Sequence, residues 1–219
     1  MKLLRLIALL FFVCGTSFAQ MPMGGVTANA ASGPVMVTDD FDRGDADPVD
    51  GNWSLVTGSG SLEIVSMEVL PTTINTSSVM VNTGATFPDD QYAQITSTSP
   101  SLAGFNYAGV VLRYATGAST GYRVFCGAAG SSDEQCYISL MVAGMNTTLD
   151  SVAGALAVGD TLRAEITGTT ITAYKNGMAI AGLTATDATV ASGRPGMVLF
   201  ALITAAEASL DDFEAGSLP

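Results

Sequence analysis

The sequence predicts an all-β protein, an antiparallel two-sheet sandwich, on three observations. From residue 35 onward, short runs of alternating apolar and polar residues are separated by Gly, Asn, Asp and Ser. Two tight turns in the C-terminal half set strand registers that agree on which side chains point inward. No long helical pattern competes.

The first twenty residues stand outside this pattern. Lys2 and Arg5 precede an apolar stretch over Leu6–Val13 that is too short to span a bilayer, and Ser17-Phe18-Ala19 supplies small residues before a cut at Gln20. Residues 1–19 therefore read as a secretory signal peptide. Cys14 follows Val13, where a bacterial lipid-attachment box would have Gly or Ala, so a free secreted protein is expected, extracellular or periplasmic. Residues 20–34 are small and uncharged and read as a flexible leader, leaving 35–217 for one domain.

Removing Lys2 and Arg5 leaves six basic residues against twenty acidic ones, which moves the net charge from −12 to −14. Such a surface repels nucleic acid and anionic lipid and suits cations and neutral ligands. No membrane insertion is expected after signal cleavage. A hydrophobic content of 48% argues against disorder.

The elements follow in order. Single runs are expected near 35–42, 61–69, 90–98 and 106–115. The stretch "GYRVFCGAAGSSDEQCYISLMV" reads as a hairpin centred on Ser131, which sets Cys126 against Cys136, Phe125 against Tyr137 and Arg123 against Ser139. Val124, Cys126, Ile138 and Leu140 then share the core face. In an oxidising compartment Cys126 and Cys136 are expected to form a disulfide; with no histidine and no other thiol after processing, a soft metal site is disfavoured. A run near 146–153 precedes "DTLRAEITGTTITAYKNGMAIAGL". There a turn at Gly168-Thr169 pairs Ile166 with Ile171, Ala164 with Ala173, Glu165 with Thr172 and Arg163 with Tyr174, and Asn176-Gly177 makes the next hairpin. Runs near 195–203 and 206–214 complete a count above ten.

Asp39-Asp40-Phe41, Gly51-Asn52-Trp53, Pro88-Asp89-Asp90-Gln91-Tyr92, Gly109-Val110-Val111-Leu112-Arg113, Tyr174-Lys175-Asn176-Gly177 and Leu210-Asp211-Asp212-Phe213, in this order, resemble the concanavalin A-like lectin/glucanase jelly roll in its laminin G-like form. The resemblance spans residues 35–216 and implies that first and last strands lie side by side, bringing Asp39 and Asp40 near Asp211 and Asp212. The family holds lectins, carbohydrate-binding modules, adhesive domains and glycoside hydrolases, so the fold leaves function open.

An enzyme is not expected. Glycoside hydrolysis usually needs two carboxylates about 5 to 10 Å apart. The hydrolytic relatives carry Glu-x-Asp-x-Glu on one strand, whereas Asp212-Phe213-Glu214 here lacks the leading Glu and Glu63 and Glu68 fall on opposite strand faces. Zero histidines rule out a Ser-His-Asp triad.

A binding face is easier to assemble. Alternation in "NYAGVVLRY" sets Val110, Leu112 and Tyr114 on one side and Val111 and Arg113 on the other. The non-core sides of neighbouring strands then offer Arg113, Arg123, Phe125, Tyr137, Arg163 and Tyr174 to a sugar, rings to its C–H patches and polar groups to its hydroxyls; the competing reading is that these aromatics fill the second face of a sandwich or meet arginine in ordinary surface stacks. The preferred reading is a secreted, non-catalytic, lectin-like module for extracellular glycan; the alternative is a structural or adhesive surface protein that binds protein partners or itself.

The acidic stretch "DDFDRGDADPVDGN" carries three readings. Asp40, Asp42, Asp45, Asp47 and Asp50, with Asp211 and Asp212, offer oxygens for calcium, although the EF-hand spacing is missed by one residue. A solvated loop is the competing reading. Arg43-Gly44-Asp45 as an integrin ligand is the third, and a tripeptide arises easily by chance. Asn52, Asn75 and Asn146 begin glycosylation sequons.

Overall fold

The computed structural model describes residues 34–99 and 104–218. The expected signal peptide, Cys14 and the expected leader up to residue 33 lie outside them. Along the chain run β1 (Met36–Asp39), β2 (Trp53–Leu55), β3 (Leu62–Val65), β4 (Glu68–Pro71), β5 (Ser78–Asn82), β6 (Gln91–Ser97), β7 (Asn106–Tyr114) and β8 (Gly121–Ala128). They continue as β9 (Gln135–Val142), β10 (Met145–Ala153), β11 (Ala155–Leu156), β12 (Thr161–Thr167), β13 (Thr170–Lys175), β14 (Met178–Thr186), β15 (Arg194–Ala201) and β16 (Leu210–Ser217).

These strands form two eight-stranded sheets. The first has the order β14-β13-β12-β6-β16-β4-β3 with β1 on β16; the second has the order β10-β9-β8-β7-β15-β5-β2 with β11 on β8. The β1–β16 pair, Asp39 opposite Phe213, is the neighbouring of first and last strands that the resemblance implied. Period-two alternation builds the core between the sheets. Leu162, Ala164, Ile166, Ile171 and Ala173 face it from the first sheet, and Val110, Leu112, Val124, Cys126, Ile138 and Leu199 from the second.

Both expected hairpins form in the expected register: Cys126 faces Cys136 and carries the disulfide, and Ile166 faces Ile171. At Asn176-Gly177 both residues have positive φ (51° and 75°), as a type I′ turn requires. The single run near 61–69 is instead two strands, because Ser66 and Met67 take φ of 53° and 67° and reverse the chain. Strands β2, β5 and β11 have too few residues, or too little contrast between faces, to show in the alternation.

The second sheet is unusual in burying both faces at its centre: every residue of β7 and β8 is buried. Its outer face holds a separate apolar cluster, including Val79, Tyr107, Val111, Phe125, Met141 and Val198. Residues 56–60 and 115–119 cross near this face, tied together by the Thr57 amide donating to the Thr116 carbonyl at 3.1 Å.

Candidate functional site

Four aromatic side chains lie in a row across adjacent strands on the outer face of the second sheet. Tyr137 of β9 stacks on Phe125 of β8 at 5.1 Å between ring centroids, Phe125 lies 4.3 Å from Tyr107 of β7, and Tyr107 stacks on Phe200 of β15 at 5.1 Å. Phe105 closes the row edge-on against Phe200 at 5.5 Å. These separations follow the spacing of strands in a sheet, about 4.8 Å. Glycines stand opposite two of the rings, Gly127 opposite Tyr107 and Gly109 opposite Phe125, and at Gly109 a Cβ would collide with the Phe125 backbone and Cβ. Tyr107 and Phe125 are buried, whereas Phe105, Tyr137 and Phe200 are half-buried and give the row its accessible rim. Burial and the Asp133 carboxylate push the Tyr137 phenol up, so it remains a neutral donor to Asp133 at 2.9 Å.

Arg123 extends this row. It follows the period of two from Phe125 on β8, and its guanidinium carbon lies 5.5 Å from the Phe125 ring centre. Its Nε donates to Ser139 Oγ at 3.4 Å, one terminal nitrogen to Ser77 Oγ at 3.1 Å and the other to Asn146 Oδ1 at 2.7 Å. Tyr107 donates to the same Ser77 hydroxyl at 3.2 Å, which joins the aromatic row to the arginine. Beside Arg123 lies a cavity of about 150 Å³, lined also by Ser59, Thr76, Ser77, Ser119 and Met141. Rings next to a hydroxyl-lined pocket form a surface with both chemistries that sugars present.

Of the six side chains expected on one ligand face, three meet: Arg123, Phe125 and Tyr137. Arg113 is corrected. A β-bulge at this residue, with φ of 48°, reverses the alternation, so Tyr114 joins Val111 on the outer face and Arg113 leaves it. The Arg113 side chain instead donates to the carbonyls of Asp89 at 2.7 Å and Val190 at 3.2 Å, and it is only 3% exposed. Arg163 and Tyr174 are also corrected, because β12 and β13 belong to the first sheet. There Arg163 stacks 3.5 Å over the Tyr92 ring and binds Glu165 at 2.8 Å, with Glu214 at 3.9 Å, so two carboxylates already occupy its charge. Tyr107 and Phe200 were missed although alternation from Val111 and Val198 places them outward. Nothing in the sequence tied Ser77 or Asn146 to this face, since only the packing of the segment entering β5 and of β10 brings them to Arg123.

The aspartate loop folds onto itself. Asp39 and Asp50 both bind Arg43, at 2.6 and 2.7 Å, and Asp39 also accepts from Trp53 Nε1 at 2.7 Å. Burial raises the Asp39 carboxyl, but the donors Arg43, Trp53 and the Phe41 amide outweigh it and hold the pKa below the ordinary value. Asp45 accepts from the Ser66 amide at 2.9 Å, Asp40 from the Asp42 amide at 3.2 Å, and Asp47 is exposed. Of the expected ligands Asp40, Asp42, Asp45, Asp47, Asp50, Asp211 and Asp212, Asp40 and Asp212 share a groove and the charges of Asp42 and Asp212 act on Asp211, while Asp45 and Asp50 are engaged within the loop; among the described residues no group of three or more metal-ligating side chains is arranged to hold an ion. The arginine of Arg43-Gly44-Asp45 is likewise engaged by its own loop. A shallow groove of about 440 Å³ remains where β1 meets β16, with Asp39, Asp40, Asp212 and Glu214 along it.

No family model matches the sequence, and no curated protein matches it. Solved structures do. The carbohydrate-binding module CBM66 from Bacillus subtilis aligns with a TM-score of 0.57 at 14% identity, covering 74% of this chain and 91% of that one. The exoplasmic/lumenal domain of VIP36 in its Ca2+/Man-bound form aligns at 0.55 and 11% identity, covering 76% and 83%. A structure described under endo-acting O-glycanases of human gut microbiota that initiate mucin breakdown aligns at 0.56 and 11% identity, covering 84% and 99%. At these identities the likeness shows the fold alone: two antiparallel sheets packed as a jelly-roll sandwich, as the resemblance implied.

Proposed function

We propose that this protein is a secreted, non-catalytic carbohydrate-binding module whose ligand face is the outer surface of the second sheet. The observation that carries this reading is the row Tyr137–Phe125–Tyr107–Phe200 running into the Arg123 cavity, rings beside hydroxyls and a guanidinium. The neighbours in fold include a carbohydrate-binding module and a lumenal domain in a Ca2+/Man-bound form, which supports the same class of ligand. The Cys126–Cys136 disulfide supports an oxidising compartment. The residues lining the cavity include no carboxylate, whereas glycoside cleavage calls for two. Calcium is favoured by the Ca2+-bound neighbours and opposed by the engagement of Asp39, Asp45 and Asp50. We place the ligand face away from that loop and expect binding to survive chelation.

The test is a glycan array probed with the processed protein in calcium and in EDTA, repeated with Tyr137→Ala and Phe200→Ala. Binding in both buffers that falls in both variants supports the reading. Binding lost in EDTA moves the site to the aspartate loop, release of free sugar makes the protein a hydrolase, and silence on every glycan favours the adhesive alternative.

A further inference from the structure

Among the described residues, the charge of Arg123 has no counterion. It is 5% exposed, and its three partners, Ser139, Ser77 and Asn146, are all neutral. All twenty acidic side chains of the sequence lie among the described residues, and none comes within 4.0 Å of the Arg123 guanidinium. Arg43, Arg113, Arg163 and Lys175 each have such a carboxylate. Arg194 has none, but it is half-buried and directed to the carbonyls of Asn82 and Ala85. Holding an ionised guanidinium away from both water and counterions costs several kcal/mol, so a buried unpaired arginine in an acidic protein calls for an explanation.

The cavity supplies one. We infer that the Arg123 pocket receives an oxyanion carried by the glycan, a sugar carboxylate or sulfate, so that the ligand is an acidic saccharide; this rests on the carbohydrate-binding reading. Of the five guanidinium N–H groups, three are spent on Ser139, Ser77 and Asn146, which leaves one on each terminal nitrogen. Two donors on adjacent nitrogens match the two oxygens of a carboxylate. The surrounding wall includes Ser59, Thr76, Ser77 and Ser119, which carry no charge to repel an anion. The Phe125 ring at 5.5 Å connects this pocket to the aromatic row, so one sugar on the row places its substituent at the arginine.

The experiment is titration calorimetry of the processed protein with three pairs of oligosaccharides. They end in glucuronate or glucose, in N-acetylneuraminate or its methyl ester, and in 6-sulfoglucose or glucose. Acidic forms are expected to bind about tenfold or more tightly than their neutral partners, since charge-assisted hydrogen bonds are the stronger kind. Whether carboxylate or sulfate binds better identifies the natural group. Arg123→Lys, which keeps the charge and loses the fork, is expected to erase most of the preference. Ser77→Ala, a milder change, is expected to weaken it while the protein stays folded. Equal binding of acidic and neutral forms overturns this inference and leaves the carbohydrate-binding reading standing; no binding of any saccharide overturns both. A preference that persists in folded Arg123→Lys removes the pocket from this arginine.

Discussion

Gln91 of the first sheet accepts a hydrogen bond from the backbone amide of Arg113 in the second, at 3.2 Å, and its own amide nitrogen donates to the carbonyls of Pro88 at 2.7 Å and Gly193 at 3.2 Å. One fully buried side chain thus satisfies the bulge that takes Arg113 off the outer face of the second sheet. Gln91→Leu keeps the volume and removes every bond, stranding buried backbone groups. It is expected to cost about 1 to 3 kcal/mol by urea unfolding. Arg113→Lys is expected to lower stability similarly, because an ammonium cannot reach the diverging carbonyls of Asp89 and Val190, and to leave saccharide affinity of the folded protein unchanged. A loss of affinity with no loss of stability would return Arg113 to the ligand face.

The disulfide closes a short loop between directly opposed residues, ten apart in sequence. Restricting the unfolded chain over that span contributes about 2 to 3 kcal/mol. Replacing both cysteines by alanine is expected to lower the unfolding free energy by that amount, as is unfolding in a strong thiol reductant. Agreement between the two treatments separates the covalent link from the packing of two buried sulfurs.

What the sequence made legible follows from where local chemistry decides. The registers of β8–β9, β12–β13 and the turn into β14 were readable because turn residues and apolar alternation impose the same pairing. The face of Arg113 was not, since one residue in a left-handed conformation inverts all later parity on its strand and no motif announces it. Grouping Arg163 and Tyr174 with Arg123 failed for another reason. Alternation says which side chains point away from a core, but a sandwich has two outer faces, and sheet membership is set by long-range pairing. The aspartates looked like ion ligands because charge density is visible in sequence, whereas the pairing of Asp39 and Asp50 through Arg43 is a property of the folded loop.

Two aspartates of the first sheet, Asp39 on β1 and Asp211 on β16, respond to pH in opposite directions. Asp39, held below its ordinary value of 3.8 in the fold, contributes stability that is present above the unfolded pKa and lost as pH falls through the folded one. Asp211 is raised above 3.8 by burial and, against the pull of the Asp212 amide, by the charges of Asp212, Asp42 and Glu68. Its contribution is present only below the unfolded pKa and is lost as pH rises through the folded one, so at neutral pH its ionisation opposes folding. Asp39→Asn is therefore expected to lower the thermal midpoint at pH 7 and to flatten the acid limb. Asp211→Asn is expected to raise the midpoint at pH 7 and to matter little near pH 3. Melting both variants between pH 3 and 7 checks the signs, and matching slopes would refute the assignment.

The aromatic row depends on a glycine as much as on its rings. A Cβ added at Gly109 would stand 2.6 Å from Phe125 Cα and closer still to the Val124 carbonyl oxygen, so backbone rather than a flexible side-chain end must yield. The opposing strand therefore moves outward, or Phe125 tips away from Tyr107. Gly109→Ala is expected to cost about 1 to 3 kcal/mol of stability, as overpacking does, and to weaken neutral-saccharide binding by displacing the Phe125–Tyr107 contact. Gly117→Ala is the control, because a Cβ there meets nothing within 4 Å and the residue sits in a loop. Near-neutral behaviour at Gly117 together with coupled losses at Gly109 would tie ligand affinity to the geometry of the row. Affinity retained in a destabilised Gly109→Ala protein would detach the sugar from these rings and leave the Arg123 cavity as the ligand contact on this face.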